Sequence, residues 1–291
     1  RGMLFSDAME MKGVVKYFPG GEADVRALIA GNDVIELSEN SERAIKLVRK
    51  AIRQNRLSRD QVKESVKKVL AAKYWAGLHK PQVIDTANVT EYLNRPEALS
   101  LKQRLADATV TVLKSDSLIK ALEFNKRTAI ISLGVSEITT FQTELQKKFP
   151  NSMNFVLSKI ASPGDVSRML AELKTYDQVI MAVHDYRKRP GSVLDYNTSL
   201  KVFIAELAKL NALTVVFANP YTIAGLPGIE LSKTLIVNYQ NSDEMQIAAA
   251  KVISSQMGAS GKLPVNINTF FRYGDGIPFF PEPATLTGQI E

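Results

Sequence analysis

Asp7 is the residue of this chain best placed to do chemistry. It ends an apolar run, Met3-Leu4-Phe5-Ser6, and leads into Ala8-Met9-Glu10-Met11-Lys12-Gly13. In a parallel α/β architecture the C-terminal ends of strands face the functional side, so a carboxylate that closes a strand stands where catalysis is built. An aspartate in this setting is also a common turn or cap residue, and an isolated Ser-Asp carries no more than that. Glu10 lies too near along the chain to serve as the acid/base partner of Asp7 and reads as a helix-start or supporting residue. Met9 and Met11 could line a substrate pocket, although packing beneath the strand end is the more frequent role of such methionines. His184 follows a second apolar run, Gln178 to Val183, and is itself followed by Asp185 and the basic stretch Tyr186-Arg187-Lys188-Arg189-Pro190-Gly191. Its functional reading is a substrate contact made by that loop. Its simpler reading is a solvent-exposed loop histidine. His79 lies in a connecting segment and reads as structural.

Other chemistries are poorly supplied. The 291 residues contain no cysteine and two histidines, which excludes disulfides and thiolate catalysis and supplies too few donors for a histidine-rich metal site. No G-x-x-x-x-G-K-[ST] occurs, Leu133-Gly134-Val135-Ser136 is not G-x-G-x-x-G, and neither a G-x-S-x-G elbow nor an S-x-x-K motif with Lys-Thr-Gly is present. No cofactor is expected. No apolar run approaches the roughly 20 residues that span a bilayer, so membrane insertion is not expected. The net charge of +7 raises the question of a nucleic-acid partner. Much of the excess lies between Arg43 and Lys73, where eleven basic residues face only Asp60 and Glu64. They alternate with apolar residues at three- and four-residue spacing and with no aromatic before Tyr74, the pattern of solvated amphipathic helices, and no nucleic acid is expected. Ser58 with Gln61 forms a capping-box pattern that starts the second helix of this pair.

These residues must be positioned by α/β elements. Residues 1–78 read as strand (3–6), helix (23–30), strand (34–37) and two helices, a βαβα unit whose strands need parallel neighbours. Residues 79–99, with prolines and no sustained period, read as a linker. Residues 100–280 alternate strands at 109–113, 128–133, 154–157, 178–183, 213–218 and 234–237 with helices at 100–108, 138–148, 163–173, 199–210 and 242–255. That alternation specifies a mostly parallel sheet covered on both faces. The stretch from Gly261 to Phe280 is expected to add edge strands, and residues 281–291 read as a tail or a linker to a further domain.

The run Gly2-Met3-Leu4-Phe5-Ser6-Asp7-Ala8-Met9-Glu10-Met11-Lys12 resembles the nucleophile strand of family-3 glycoside hydrolases, most of all their β-N-acetylhexosaminidase branch. Gly20-Gly21-Glu22-Ala23-Asp24-Val25 through Gly31-Asn32-Asp33-Val34-Ile35 is similar to the last helix and strand of that family's barrel. Lys73-Tyr74-Trp75-Ala76-Gly77-Leu78 resembles the end of the barrel. Asn219-Pro220-Tyr221, Gly261-Lys262-Leu263-Pro264-Val265 and Tyr273-Gly274-Asp275-Gly276 are similar to its second domain.

The resemblance implies the end of a (β/α)8 barrel over residues 1–78 followed by an α/β sandwich domain. It implies a retaining hydrolase that releases terminal β-linked N-acetylglucosamine in cell-wall glycan turnover, with Asp7 as nucleophile and a carbohydrate as its partner. In that branch the acid/base is a histidine paired with an aspartate, inside Lys-His-Phe-Pro-Gly-His-Gly and Asp-Ser-His patterns. Neither occurs here, and Tyr17-Phe18-Pro19-Gly20-Gly21 only echoes the first. The acid/base is therefore expected upstream of Arg1, in a natural protein that extends beyond it, and the chain alone is expected to be inactive. Self-association through unpaired barrel strands is a further expectation, as is a periplasmic or extracellular setting. The alternative is a noncatalytic glycan-binding or packing module.

Overall fold

A computed structural model describes residues 2–81, 83, 85–115, 118–187, 194–210 and 212–281. The chain divides into two units, residues 1–88 and 89–291. The boundary lies inside the stretch expected to be a linker, and that stretch is less irregular than its prolines suggest. It holds a short helix at Val89–Leu93, and the next helix starts at Pro96 rather than Ser100. Pro96 is a helix-start proline, since the first helical turn has no use for its missing N–H.

In the first unit β1 (Phe5–Ala8) is followed by α1 (Lys12–Val15), α2 (Glu22–Ile29), β2 (Val34–Glu36), α3 (Ser41–Arg53) and α4 (Arg59–Trp75). β1 and β2 form a two-stranded parallel sheet that starts with Phe5 opposite Val34. The buried core is small: Val25, Ala51 and Leu57, with Leu28, Leu47, Val48, Ile52 and Val62 packed against it. Helix α3 starts where the Asn40 side chain accepts from Arg43 N–H. At α4 Ser58 accepts from Asp60 N and Gln61 N, as its type predicts. The reciprocal half of the expected capping box is absent, however, because Gln61 Nε2 instead donates to Leu28 O at 2.6 Å and ties α4 to α2.

The second unit contains α5 (Val89–Leu93), α6 (Pro96–Thr109), β3 (Thr111–Lys114), α7 (Leu118–Ala121), β4 (Thr128–Leu133), α8 (Thr140–Gln146), β5 (Ser152–Leu157), α9 (Pro163–Leu173), β6 (Gln178–His184), α10 (Thr198–Lys209), β7 (Leu213–Phe217), β8 (Thr234–Val237) and α11 (Asp243–Ile253). The six strands lie in the order β3-β8-β7-β6-β4-β5, parallel except for β3, which runs antiparallel to β8 at one edge. Side-chain alternation splits the core between the two faces. Ala129, Ile131, Leu133, Met181 and Val183 face one layer of helices, while Ile130, Ile180, Ala182, Val215 and Phe217 face the other. Burial on both sides is why these strands are continuous apolar runs rather than alternating ones.

The Gly- and Pro-rich stretch after α11 does not form the expected edge strands. It is coil anchored at isolated points: an antiparallel bridge between Ala259 and Phe279, and Ile277 N–H on Val112 O at 2.7 Å. The tail expected from 281 onward lies, beyond Pro281, outside the described residues.

Candidate active site

Asp7 is exposed in β1, close to its C-terminal end, with its side chain on the same face as Phe5. Ser6, on the other face, accepts Glu36 N–H through its hydroxyl at 3.0 Å, and Met9 N–H reaches Glu36 O at 3.0 Å, so the strand is held on β2 on both sides of Asp7. One carboxylate oxygen of Asp7 accepts from Ala8 N–H at 2.8 Å. Among the described residues the carboxylate carries this one local hydrogen bond, and it is exposed. Glu10 sits in the turn into α1 and lines a groove of about 630 Å³ together with Asp24, Leu28, Ile35, Ser38 and Ile45. Asp24 is buried on that groove, accepting from Ser38 Oγ at 2.5 Å while its other oxygen has no partner. Met9 is half-buried and Met11, the N-cap of α1, is exposed.

Asp33 anchors the opposite end of β1, where the chain enters the strand. Its carboxylate accepts from Leu4 N–H at 3.0 Å, from Ser65 Oγ at 2.7 Å and from Lys68 Nζ at 3.0 Å on both oxygens. The Ser65 and Leu4 hydrogen bonds, then Lys68, hold its carboxyl down at about 2. The residue joins the entry of β1 to α4. Nothing local in sequence marks this, since its partners lie about thirty positions away on either side.

In the second unit His184 ends β6, as expected, but it is not a surface histidine. It is 1% exposed and lies over Phe217 with ring centroids 5.0 Å apart. Nδ1 is 2.9 Å from Asn241 Oδ1 and Nε2 is 3.1 Å from Ser132 Oγ. The amide oxygen can only accept, so Nδ1 carries the proton and Nε2 accepts from the serine. Burial pushes the ring down to about 4, against a smaller upward pull from Asn241. The exposed-loop expectation fails because the neighbouring strand β4 and the loop before α11 supply polar partners that cover the strand end. Both ring nitrogens are taken within the unit.

Asp185 is likewise buried, paired with Arg187 at 2.6 Å and accepting from Thr222 Oγ1 at 3.2 Å. The rest of the expected basic loop, Lys188 to Gly191, lies outside the described residues. Gly134 closes β4 with φ +84°, and a Cβ there would stand 2.0 Å from the Tyr196 hydroxyl. That hydroxyl lies within hydrogen-bond reach of both Leu133 O and His184 O and shares its one proton between them, bridging the ends of β4 and β6.

Residues 1–72 match the model of the glycosyl hydrolase family 3 N-terminal domain. Over those residues the chain is similar to the family-3 glycoside hydrolases. A β-N-acetylglucosaminidase/β-glucosidase of Cellulomonas fimi is 21% identical over 91% of the chain and 49% of its own length. The structure of a family-3 β-N-acetylglucosaminidase from Paenibacillus aligns at TM-score 0.63 and 21% identity, over 92% of this chain and 51% of that one. A β-glucosidase from Listeria innocua aligns at TM-score 0.68 and 18% identity, over 91% and 40%. The chain therefore spans about half the length of these relatives, and the solved structures share with it an α/β fold with a mostly parallel sheet. The family-3 match contains Asp7, Met9, Glu10 and Met11; His184 falls outside it.

Proposed function

We propose that the chain is the C-terminal portion of a retaining family-3 glycosidase in which Asp7 is the nucleophile. The observation that carries this is the exposed Asp7 carboxylate near the end of a strand held in parallel register, inside the segment that matches the family model. A retaining glycosidase needs one carboxylate that stays ionised to attack the anomeric carbon, and a second group that first protonates the leaving oxygen and then activates water. We assign that second group to chain outside these 291 residues. Met9 and Met11 are proposed to border the sugar site. His184 is not assigned to it, because its ring is committed within its own unit.

On this reading β1 and β2 are the closing strands of a (β/α)8 barrel, completed by further sequence or another chain, and the second unit is the sandwich domain that follows it. The proposed substrate is a glycan with terminal β-linked N-acetylglucosamine, in cell-wall turnover. One curated relative and one solved neighbour named for that activity support this. The β-glucosidase name borne by another neighbour makes a glucoside the competing substrate. A glycan substrate in cell-wall turnover would place the protein in a periplasmic or extracellular setting.

The deciding experiment treats the full-length enzyme with mechanism-based fluoro-sugars of both substrate types and maps the labelled peptide. Label on Asp7 from the N-acetylglucosamine reagent is the expected result. Label on Glu10 or Asp33 overturns the assignment, and label from the glucose reagent alone moves the specificity. The 291-residue chain by itself should take no label. In that form it would act only as a glycan-binding or packing module.

A further inference from the structure

We propose that the outward face of α3 is a binding strip for an anionic glycan chain. Arg43, Lys46, Arg49, Lys50 and Arg53 are all exposed. At 3.6 residues per turn they fall within about a third of the helix circumference. Ala44 and Ala51 are buried and Leu47, Val48 and Ile52 pack on the core, so the centre of the basic arc, at Lys46, Lys50 and Arg53, is turned away from it, while Arg49 borders the groove of Glu10 and the Arg43 guanidinium lies beside Gly20. The five cations run along about 15 Å of helix, with neighbours about 5–6 Å apart. Among the described residues only Lys46 of the five is in an ion pair, with Glu42, and both of those side chains are largely solvated. Such a pair is weak and readily exchanged for another anion. The net charge between Arg43 and Lys73 exceeds the +7 of the whole chain, so positive potential is concentrated on this helix pair.

The chemistry of the strip points to a linear polymer carrying repeated anionic groups. No aromatic residue lies between Arg43 and Lys73, so there is no platform on which bases could stack. The apolar residues of α3 turn inward except Ile45, whereas a helix that lies on a membrane presents a broad apolar face outward. Charge alone is read, at intervals that suit a uronate chain. The choice of a glycan over other polyanions rests on the reading of the protein as a glycan-acting enzyme; the strip itself does not involve Asp7.

The test measures binding of a fluorescent oligogalacturonide to the full chain, with neutral dextran, duplex DNA and anionic vesicles as comparisons. The oligogalacturonide should bind and dextran should not. Affinity should fall on the order of 100-fold between about 50 and about 200 mM salt, as expected for about five charge contacts. The variant K46E/K50E/R53E should lose binding, and K46Q/K50Q/R53Q, which removes charge without reversal, should weaken it at least several-fold. K148E/K174E/K233E, which changes net charge by the same amount at exposed sites of the other unit, should bind nearly as the parent does. Equal loss in this control, equal binding of dextran, or tighter binding of DNA or vesicles would overturn the proposal. Circular dichroism of each variant separates lost charge from lost fold. Fluoro-sugar labelling of the full-length enzyme is independent of these variants, so the strip and the glycosidase reading fail separately.

Discussion

Asp7 and His184 look alike in the sequence, each a polar residue at the end of an apolar strand, and the structure separates them. Asp7 is left open with one local hydrogen bond, whereas His184 is enclosed by Ser132, Asn241 and Phe217. Replacing Asp7 by Asn in the full-length enzyme keeps the size and removes the charge, so kcat should fall by several orders of magnitude with KM little changed. Glu10→Gln should be much milder in the same assay. For His184 the consequence is a pH dependence of stability. Its pKa is held at about 4 in the fold against an ordinary 6.5, so the unfolded chain binds the proton more readily. Its contribution is complete above about 6.5 and is lost as pH falls toward 4, a loss on the order of 3 kcal/mol. Denaturant midpoints across that range should drop for the parent and be flatter for His184→Gln; equal slopes would exclude the ring as the titrating group. The position of His184 at a strand end was legible in the sequence. Its burial was not, because Asn241 and Ser132 are distant in the chain and neither carries a periodic signal.

At the level of elements, a strand or helix is legible where its signal is local. β4, β8 and α9 occupy the spans their apolar runs and caps predict, since burial on both sheet faces and a Ser-Pro helix start are local signals. Side-chain tethers across elements carry no such signal. Gln61 fits a capping pattern with Ser58, yet its side-chain amide donates to Leu28 O instead. Asp33 links Leu4, Ser65 and Lys68 with no local motif. Among the described residues β1 and β2 pair only with each other, leaving both outer edges without a ladder partner. β6 lies between β4 and β7. Amide exchange at Phe5 and Ser6 should therefore be orders of magnitude faster than at Ile180 and Met181. Exchange equally slow in a monomer would show that other chain segments already cover the β1–β2 edges.

The two units differ most in how much each can bury by itself. Among the described residues the first has one small buried cluster, Val25, Ala51 and Leu57, and leaves Leu4, Phe5, Val66, Leu70 and Trp75 exposed, while the second has two extensive clusters that cover both faces of a six-stranded sheet. Stability follows the apolar area removed from water, at roughly 25 cal/mol per Å², so the second unit should fold as an independent body and the first should be marginal without added partners. Heating the chain should give two transitions, the lower one from residues 1–88. Limited proteolysis should degrade that unit first and leave a resistant fragment that begins between Asn88 and Ser100. In a longer protein that carries the further strands of the proposed barrel, the same digestion should leave residues 1–88 protected. Equal resistance of both units in the isolated chain would mean that the first unit is already complete, and the need for added strands would fall with it.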